Sequence, residues 1–248
     1  PTKGEILIDG QTLKRNRPDL KRKISVITQE YSMRQDMTMD EIMEYQGRLY
    51  FMPRKEIRKR TEELLEFCDL LKFRKRTVRK LSGGMKRKLM VCRALLTDPE
   101  ILLLDEPTAG MDALSRRQMW NLLRKLNGKN LTILLTTHYM EEASMAQQLC
   151  IMDAGKIIAS GSPSQLKNKY ASDTLKIYTD KITPLNRELA ALSLASYRLP
   201  NGIAIPLSTT KDALHIMPRI TTPYDGIEII QGSMDDAFIQ ITGKKLED

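Results

Sequence analysis

Apolar residues recur along the chain at spacings that predict short strands in some segments and amphipathic helices in others. Gly4–Gly10 alternates apolar and polar positions between glycines, and Ile24–Thr28 is a second short segment of this kind, so both predict strands. From Thr38 to Phe73 the apolar residues follow helical spacing, with a break at Pro53. This stretch predicts a helical insertion.

A further helix is predicted to begin at Ser82 and to end at Asp98-Pro99. Its apolar residues step by four, three and four positions along one face, and Lys86, Arg87 and Arg93 are placed on the opposite face. The apolar residues of this face are Met85, Leu89, Cys92 and Leu96.

Two strongly apolar strands are predicted next, at Ile101–Leu104 and Leu131–Leu135, with a helix at Ala113–Leu126 between them. Strand, helix and strand at this spacing indicate a parallel sheet. Leu149–Met152 and Lys156–Ala159 then predict a hairpin-like edge around a tight turn.

The rest of the chain predicts a small α+β appendage. We expect the first domain to span residues 1–169, with a helical subdomain at about 38–97, and the second to span residues 170–248. The predicted strands of the second domain are Thr174–Tyr178, Ile203–Leu207 and Gly226–Ile230, and its predicted helices are Leu185–Leu194, Thr210–Met217 and Met234–Thr242.

Composition narrows the class of protein. The chain is 41% hydrophobic and 29% charged, which is typical of one medium-sized domain with a small appendage. Its apolar runs fall short of the 18 residues that a membrane-spanning helix needs. The three cysteines are widely spaced and odd in number, which argues against a disulfide framework or a zinc site and favours a reducing cytosol. The first residue is Pro1, and we expect a further segment upstream.

The net charge of +9 is concentrated in one stretch. Between Arg54 and Arg93, fifteen Lys or Arg residues stand against five Asp or Glu. So basic a helical segment suits a nucleic acid, an anionic membrane surface or an acidic partner, and it equally suits an ordinary solvated helix face. Charge alone does not choose among these interpretations.

Two segments carry candidate chemistry. Asp105 and Glu106 follow a buried strand, where α/β sheets place ligand groups; they suit metal-assisted hydrolysis, or simply cap the next helix. Ser82, Gly83 and Gly84 open a helix whose backbone N–H groups can approach an anion, although an ordinary capped helix has the same pattern.

Five motifs in order resemble the ATP-binding-cassette (ABC) family over roughly residues 1–169. The resemblance implies a P-loop NTPase-type α/β fold, a parallel sheet with a helical insertion, and ATP and Mg²⁺ as cofactors. The motifs are Gln29 after a strand, Leu81-Ser82-Gly83-Gly84, Leu102-Leu103-Leu104-Asp105-Glu106-Pro107, Ala109-Gly110-Met111-Asp112, and His138 after Leu134-Leu135-Thr136-Thr137.

The resemblance also implies a role for each site residue. Gln29 would contact Mg²⁺ or the attacking water, and Asp105 would support the metal. Glu106 would act on the water and His138 would grip the γ-phosphate, so these two are the expected catalytic residues. In the remaining two motifs, Ser82, Gly83 and Gly84 would cover the γ-phosphate of ATP held by the opposite subunit, and Asp112 would couple the two sites across the dimer.

Two departures from the family pattern stand out. Met85 occupies the position where the family most often has Gln, which we associate with its drug-export branch. The phosphate loop, G-x-x-x-x-G-K-[ST], does not occur in these 248 residues. Pro1-Thr2-Lys3-Gly4 resembles the segment that follows this loop, so we expect the N-terminal strands and the loop to be missing, with apolar edges exposed and the chain prone to aggregate. The C-terminal segment Gly232–Gly243 resembles the ending of daunorubicin-exporter-like ATPases, and His138–Ala143 points to the same branch.

These resemblances imply an ATPase subunit of an exporter, bound peripherally at the cytoplasmic face of the membrane. Its expected partners are a transmembrane permease and a second nucleotide-binding subunit, and no nucleic acid is expected. We expect the complete protein to hydrolyse ATP, and we expect this chain on its own to be inactive. Two alternatives stay open: a soluble ATPase that acts on nucleic acid or the ribosome, as the charge of +9 would suit, and a truncated non-catalytic module.

Overall fold

The structure, a computed structural model, describes residues 3–14, 16–30, 33–128 and 131–243. By their packing contacts the described residues form two compact units, 1–138 and 139–248. The sequence placed a domain boundary near Lys169, and that boundary stays a prediction about the family's architecture. Among the helices of the described residues, none has the length and apolar character needed to cross a membrane.

The first unit contains a parallel sheet, a terminal hairpin and a set of longer helices. Apart from the first predicted strand, the predicted strands and helices of this unit are confirmed to within a few residues at each end. The elements in chain order are β1 (Leu7–Ile8), β2 (Gln11–Thr12), α1 (Pro18–Arg22), β3 (Ile24–Ile27), α2 (Met39–Leu49), α3 (Arg54–Phe67), α4 (Gly83–Leu95), β4 (Ile101–Leu104), α5 (Ala113–Asn127) and β5 (Thr132–Leu135).

The parallel sheet has β4 at its centre, between β3 and β5. On one face, Ile27, Leu102 and Leu104 are buried in the main hydrophobic cluster, together with residues of α4 and α5. On the opposite face, Val26 is 56% exposed and Leu134 is 65% exposed. The sheet therefore carries apolar side chains on both faces, as parallel sheets do, and this chain buries one of them.

The helices of the predicted insertion begin and end where local signals place them. Thr38 caps α2 through a capping box with Glu41, and Pro53 stands immediately before α3. The two helices pack closely at Gly47, where an added Cβ would lie 2.5 Å from Ile57 Cγ1. The predicted break at Pro53 is thus confirmed.

The prediction of one strand at Gly4–Gly10 was wrong. Gly4–Gly10 was expected to be a single strand, whereas β1 turns back onto β2 as a short antiparallel hairpin. Asp9 and Gly10 have φ angles of 49° and 71°, the left-handed conformation that a tight hairpin turn requires. An Asp-Gly pair is a hairpin signal, and here it outweighs the alternation before it.

The second unit contains a hairpin, a larger antiparallel sheet and several helices. The elements in chain order are α6 (Met140–Ala143), β6 (Leu149–Asp153), β7 (Lys156–Gly161), α7 (Pro163–Tyr170), β8 (Asp173–Tyr178), α8 (Ile182–Ala191), β9 (Tyr197–Leu199), β10 (Gly202–Leu207), α9 (Asp212–Ile216), β11 (Gly226–Ile230) and α10 (Met234–Thr242). The larger sheet has β11, β8, β10 and β9 as successive neighbours. From β8 to β11 the elements follow the order β-α-β-β-α-β, the split β-α-β arrangement.

Most of the second unit was predicted, including the β6–β7 hairpin around Ala154-Gly155. The sequence missed the helices α6 and α7. It also missed β9, which is only three residues long and pairs with β10 at the edge of the sheet. Leu175 and Ile177 are buried against side chains of α8 and α9. A separate cluster contains Ile151 of β6, Leu166 of α7 and Met234 of α10.

Candidate functional site

Polar side chains follow the three parallel strands at the edge where those strands end. Gln29 comes two residues after β3, Asp105 and Glu106 come directly after β4, and His138 comes three residues after β5. Because β3, β4 and β5 run in the same direction, their carboxyl ends meet at one edge of the sheet, where α/β proteins bind ligands.

Glu106 is the centre of this group. Gln29 Nε2 donates to Glu106 Oε2 at 3.2 Å, and His138 Nδ1 lies 3.4 Å from Glu106 Oε1. The Glu106 side chain is 32% exposed and that of His138 is 56% exposed. The structure thus brings together residues 77 and 32 positions apart in the sequence, and it leaves them open to solvent.

The backbone at Glu106 is strained. Its φ of 43° lies in the left-handed region, which is unfavourable for a non-glycine residue by roughly 1–2 kcal/mol. The Glu106 N–H donates to Thr136 Oγ1 at 3.0 Å, and its carbonyl accepts from the Ala109 N–H at 3.2 Å. These hydrogen bonds hold the turn that orients the carboxylate.

Thr136 links the two adjacent carboxylate residues. Its hydroxyl donates to Asp105 Oδ1 at 2.7 Å and accepts from the Glu106 backbone. The sequence identified Thr136 only as part of the strand that leads to His138 and assigned it no role. A hydroxyl residue directly after β5 is a weak signal, and only the pairing of β5 with β4 shows what it contacts.

A second group forms around the start of α4. Ser82 is its N-cap and accepts from the Met85 N–H at 3.3 Å. Ser82 and Gly83 are exposed and Gly84 is half-buried, so the positive end of a 13-residue helix faces solvent. This is a surface that can bind an anion.

Asp112 belongs to this second group. It caps α5, accepting from the Ser115 N–H at 2.9 Å and from the Ser115 hydroxyl at 2.6 Å, and the Ser115 hydroxyl lowers the pKa of the Asp112 carboxyl. A Cβ on Gly84 would lie 3.5 Å from Ser115 Oγ. Ser82, Gly84 and Ser115 all line one cavity of about 220 Å³. The Ser82–Gly84 segment and Asp112, which contacts Ser115, are therefore neighbours.

Arg87 was predicted to lie on the exposed face of α4, and this was wrong. It is 2% exposed, and its Nη1 donates to the Thr28 carbonyl at 2.9 Å. Thr28 directly precedes Gln29, so Arg87 joins the helix of the second group to the strand end of the first. The local K-R-K run gave no signal of this, because the contact is 59 residues distant in the sequence.

The donor set at the strand ends fits Mg²⁺ that arrives with phosphates. Asp105 is exposed and offers a carboxylate, and Gln29 offers an amide oxygen, which are hard ligands of the kind Mg²⁺ prefers. Among the described residues no cluster of three His, Cys, Asp or Glu side chains could hold a metal by itself. Mg²⁺ commonly binds one or two protein carboxylates, and phosphate and water oxygens complete its coordination shell.

Comparisons with known proteins show the family to which the chain belongs. A family model described as ABC transporter matches residues 1–109. The Nod factor export ATP-binding protein I of Ralstonia nicotianae is 34% identical, over 100% of this chain and 79% of that protein. The daunorubicin resistance ATP-binding protein DrrA3 of Streptomyces coeruleorubidus is 30% identical, over 98% of this chain and 79% of that protein.

Solved structures with the same fold confirm the predicted α/β class. A structure titled as the ATP-binding subunit of an ABC transporter has a TM-score of 0.59 at 24% identity and covers 68% of this chain and 71% of its own. The cbiO1 protein of Clostridium perfringens, part of the ABC transporter complex cbiONQ, has a TM-score of 0.62 at 24% identity. It covers 67% of this chain and 68% of its own.

Proposed function

Because this chain belongs to the ATP-binding subunits of the ABC transporter family, we propose that it hydrolyses ATP to drive export through a separate membrane permease. The observation that carries the proposal is the contact of Glu106 with both Gln29 and His138 at the ends of parallel strands. Export, of a drug or of another small or lipid-like molecule, is inferred from the relatives, whose names refer to Nod factor export and daunorubicin resistance.

In this proposal each group of residues has a separate task. Glu106 accepts a hydrogen bond from the attacking water and polarises it, while Gln29 and His138 fix the carboxylate. Asp105 and Gln29 hold Mg²⁺, which supplies the positive charge that phosphoryl transfer needs. The His138 side chain is 56% exposed, so it is accessible to a γ-phosphate.

The second group points to a paired arrangement. Ser82, Gly83 and Gly84 form an anion-binding surface at the start of α4, while Glu106 lies at the strand ends. We propose that this surface covers the γ-phosphate of ATP held by a second nucleotide-binding subunit, and that Asp112 couples the two sites. The subunit then works peripherally at the cytoplasmic face of the membrane.

Phosphate binding is the part of the site that these 248 residues do not supply. They contain no G-x-x-x-x-G-K-[ST] motif, whose Lys and hydroxyl residue hold the phosphates and Mg²⁺ in P-loop ATPases. We therefore expect these 248 residues by themselves to bind ATP weakly and to turn it over very slowly. The complete subunit is the form in which the catalytic proposal applies.

The decisive experiment measures ATP turnover of the complete subunit, assembled with its permease in vesicles. Glu106→Gln should lower kcat by about 10²- to 10⁴-fold, since it removes a positioned base, and nucleotide binding should persist. Glu62→Gln, at an exposed position of α3, is the matched control and should leave kcat unchanged. Full turnover by Glu106→Gln would contradict the catalytic assignment.

The alternative of a nucleic-acid-dependent ATPase has its own test. Filter binding of RNA and DNA over a range of salt concentrations should show weak binding without any effect on turnover. Tight, salt-sensitive binding that stimulates ATP hydrolysis would favour the alternative instead.

A further inference from the structure

The turn between α2 and α3 holds an aromatic residue in an unusual backbone conformation. Phe51 has a φ of 58°, in the left-handed region that glycine favours. Its N–H donates to the Arg48 carbonyl, and the Met52 N–H donates to the Gly47 carbonyl, both at 3.0 Å. This pair of hydrogen bonds closes a helix in the manner that usually places glycine where Phe51 stands.

Phe51 is also poorly covered. Among the described residues it is the most exposed of the large hydrophobic side chains, at 88%. The left-handed backbone and the exposure are both unfavourable, and packing within this chain offsets neither, because nearly the whole side chain faces solvent. Strain and exposure at one residue point to a contact outside the chain.

Other exposed apolar side chains adjoin Phe51. Leu49 is 54% exposed, Tyr45 is 55% exposed and Tyr50 is 36% exposed. Tyr45 and Leu49 stand four positions apart on α2, so they share one side of that helix. We call residues 44–59 the α2–α3 tip.

The α2–α3 tip is basic. Its two acidic residues are Glu44 and Glu56. Glu44 lies 2.6 Å from Arg48 and 3.6 Å from Arg54, and Lys59 lies 3.9 Å from Glu63 outside the tip; all three are ion pairs between side chains that solvent reaches. Amphipathic segments with an apolar point and a ring of cations are typical of contacts with anionic bilayers. The five cationic residues of the tip, all exposed, are Arg48, Arg54, Lys55, Arg58 and Lys59.

We propose that the α2–α3 tip docks on an anionic lipid surface, with Phe51 inserted among the headgroups and the surrounding cations on lipid phosphates. The proposed function is needed only to bring the tip near a membrane. Charge complementarity favours lipid over the permease, because the cytoplasmic loops of membrane proteins are themselves rich in Lys and Arg and would repel this tip.

The test is flotation of the purified chain with vesicles, without permease or nucleotide. Vesicles with 30% phosphatidylglycerol in phosphatidylcholine should bind the chain, and pure phosphatidylcholine should bind it weakly. Phe51→Gly should lower the partition coefficient about threefold or more, since it removes the inserted aromatic group. Its Tm should be equal or higher, because glycine relieves the left-handed strain.

Two further variants sharpen the result. Phe51→Trp should retain binding and add a fluorescence emission that shifts to the blue when vesicles are present. Lys55→Gln combined with Arg58→Gln should lower binding to anionic vesicles about fivefold per charge removed. Salt at 0.5 M should also lower the binding of the intact chain to anionic vesicles, because it screens the attraction between the cations and the lipid phosphates.

Matched controls come from the second unit. Leu214→Gln removes a side chain that is 70% exposed, and Lys156→Gln with Lys181→Gln removes two exposed charges. Neither should change the partition coefficient by more than the error of the measurement. If these control variants lowered the partition coefficient as much as the tip variants do, the binding would be nonspecific and the proposal would be overturned.

Equal binding of the intact chain and Phe51→Gly to anionic vesicles would contradict lipid docking outright. If Phe51→Gly then also lost permease-stimulated ATPase activity in the complete transporter, the tip would be assigned to a protein partner. Loss of vesicle binding with normal turnover separates this proposal from the catalytic one, since Glu106 lies outside the tip.

Discussion

The sheets of the two units present very different surfaces to solvent. In the parallel sheet of the first unit, the face opposite the main core carries Val26, 56% exposed, and Leu134, 65% exposed. In the antiparallel sheet of the second unit, the corresponding side of β8 and β11 carries Lys176, Tyr178 and Glu228. There Tyr178 donates to Glu228 at 2.8 Å, and Lys176 lies 3.4 Å from the same carboxylate.

The difference follows from strand pairing. An antiparallel sheet can leave one face to water and alternates apolar and polar residues, as Leu175 and Ile177 alternate with Lys176 in β8. A parallel sheet is normally covered on both sides, so its strands are apolar at nearly every position. In β8 the apolar residues are therefore buried and the polar ones face solvent, although Ile227 and Ile229 of the edge strand β11 are 46% and 42% exposed. In the first unit, the face of the parallel sheet opposite the core is apolar and solvent reaches it.

The same difference governs where chemistry can occur. Parallel strands end at one edge, which places Gln29, Glu106 and His138 together. Antiparallel strands send successive ends to opposite edges, and the second unit shows no comparable convergence of candidate catalytic side chains among the residues described. The four predictions that follow test this contrast, from the largest expected effect to the smallest.

The largest effect should come from core truncations in each sheet. Leu102→Ala in β4 and Leu175→Ala in β8 each remove a fully buried side chain, and each should lower the free energy of unfolding by about 2–5 kcal/mol. Hydrogen exchange resolved by residue should show faster opening in the unit that holds the substitution. Leu214→Ala, at an exposed position, is the control, and equal acceleration in both units would show that the two do not behave separately.

A smaller effect should follow from loss of the Arg87 contact. Arg87→Met keeps the length of the side chain but removes the hydrogen bond that the buried Arg87 guanidinium donates to the carbonyl of the exposed Thr28. We expect a loss of about 1–3 kcal/mol in urea unfolding. In the complete subunit, kcat should fall because Gln29 follows Thr28. Lys86→Met, at the adjacent position, should have little effect, and a reversal of that order would refute the link.

The third prediction concerns acid stability of the second unit. The side chains and N–H groups of Thr221 and Thr222 lower the pKa of Glu188 from 4.5 to about 2. A depressed pKa contributes stability that is present above pH 4.5 and is lost as the pH falls toward 2. Glu188→Gln should flatten this loss in the second unit, measured by acid titration of its hydrogen exchange, and should leave the first unit unchanged.

The smallest effect on stability should come from the exposed apolar face. Val26→Thr with Leu134→Thr alters side chains that solvent already reaches, so the unfolding free energy should change by less than about 0.5 kcal/mol. Self-association, followed by light scattering, should nevertheless decrease, because the apolar patch shrinks. Lys176→Leu, on the antiparallel sheet of the second unit, should increase self-association. The expectation that the chain aggregates stays a prediction, and a monodisperse intact chain would contradict it.

The sequence predicted the longer elements well because their signals are local. Pro53, the Thr38–Glu41 capping box and the apolar runs at β4 and β5 each depend on a few adjacent residues. The failures were long-range or marginal: β9 is too short to show a period, the Asp9-Gly10 turn interrupts an alternation, and Arg87 lies in a basic run. β9 and Arg87 depend on partners elsewhere in the chain. The Asp9-Gly10 turn and the Ser162–Gln165 capping box of α7 are local signals that the prediction did not use.

By itself, the sequence determined the family, the fold class and the candidate residues Gln29, Ser82, Glu106 and His138, because motif order and hydrophobic period are written along the chain. Only the tertiary structure decided that Thr136 joins Asp105 to Glu106, that Arg87 is buried beside Thr28, and that Phe51 is both strained and exposed. The physical reason is that hydrogen bonds and burial depend on neighbours brought together by strand pairing and helix packing, which local spacing does not specify.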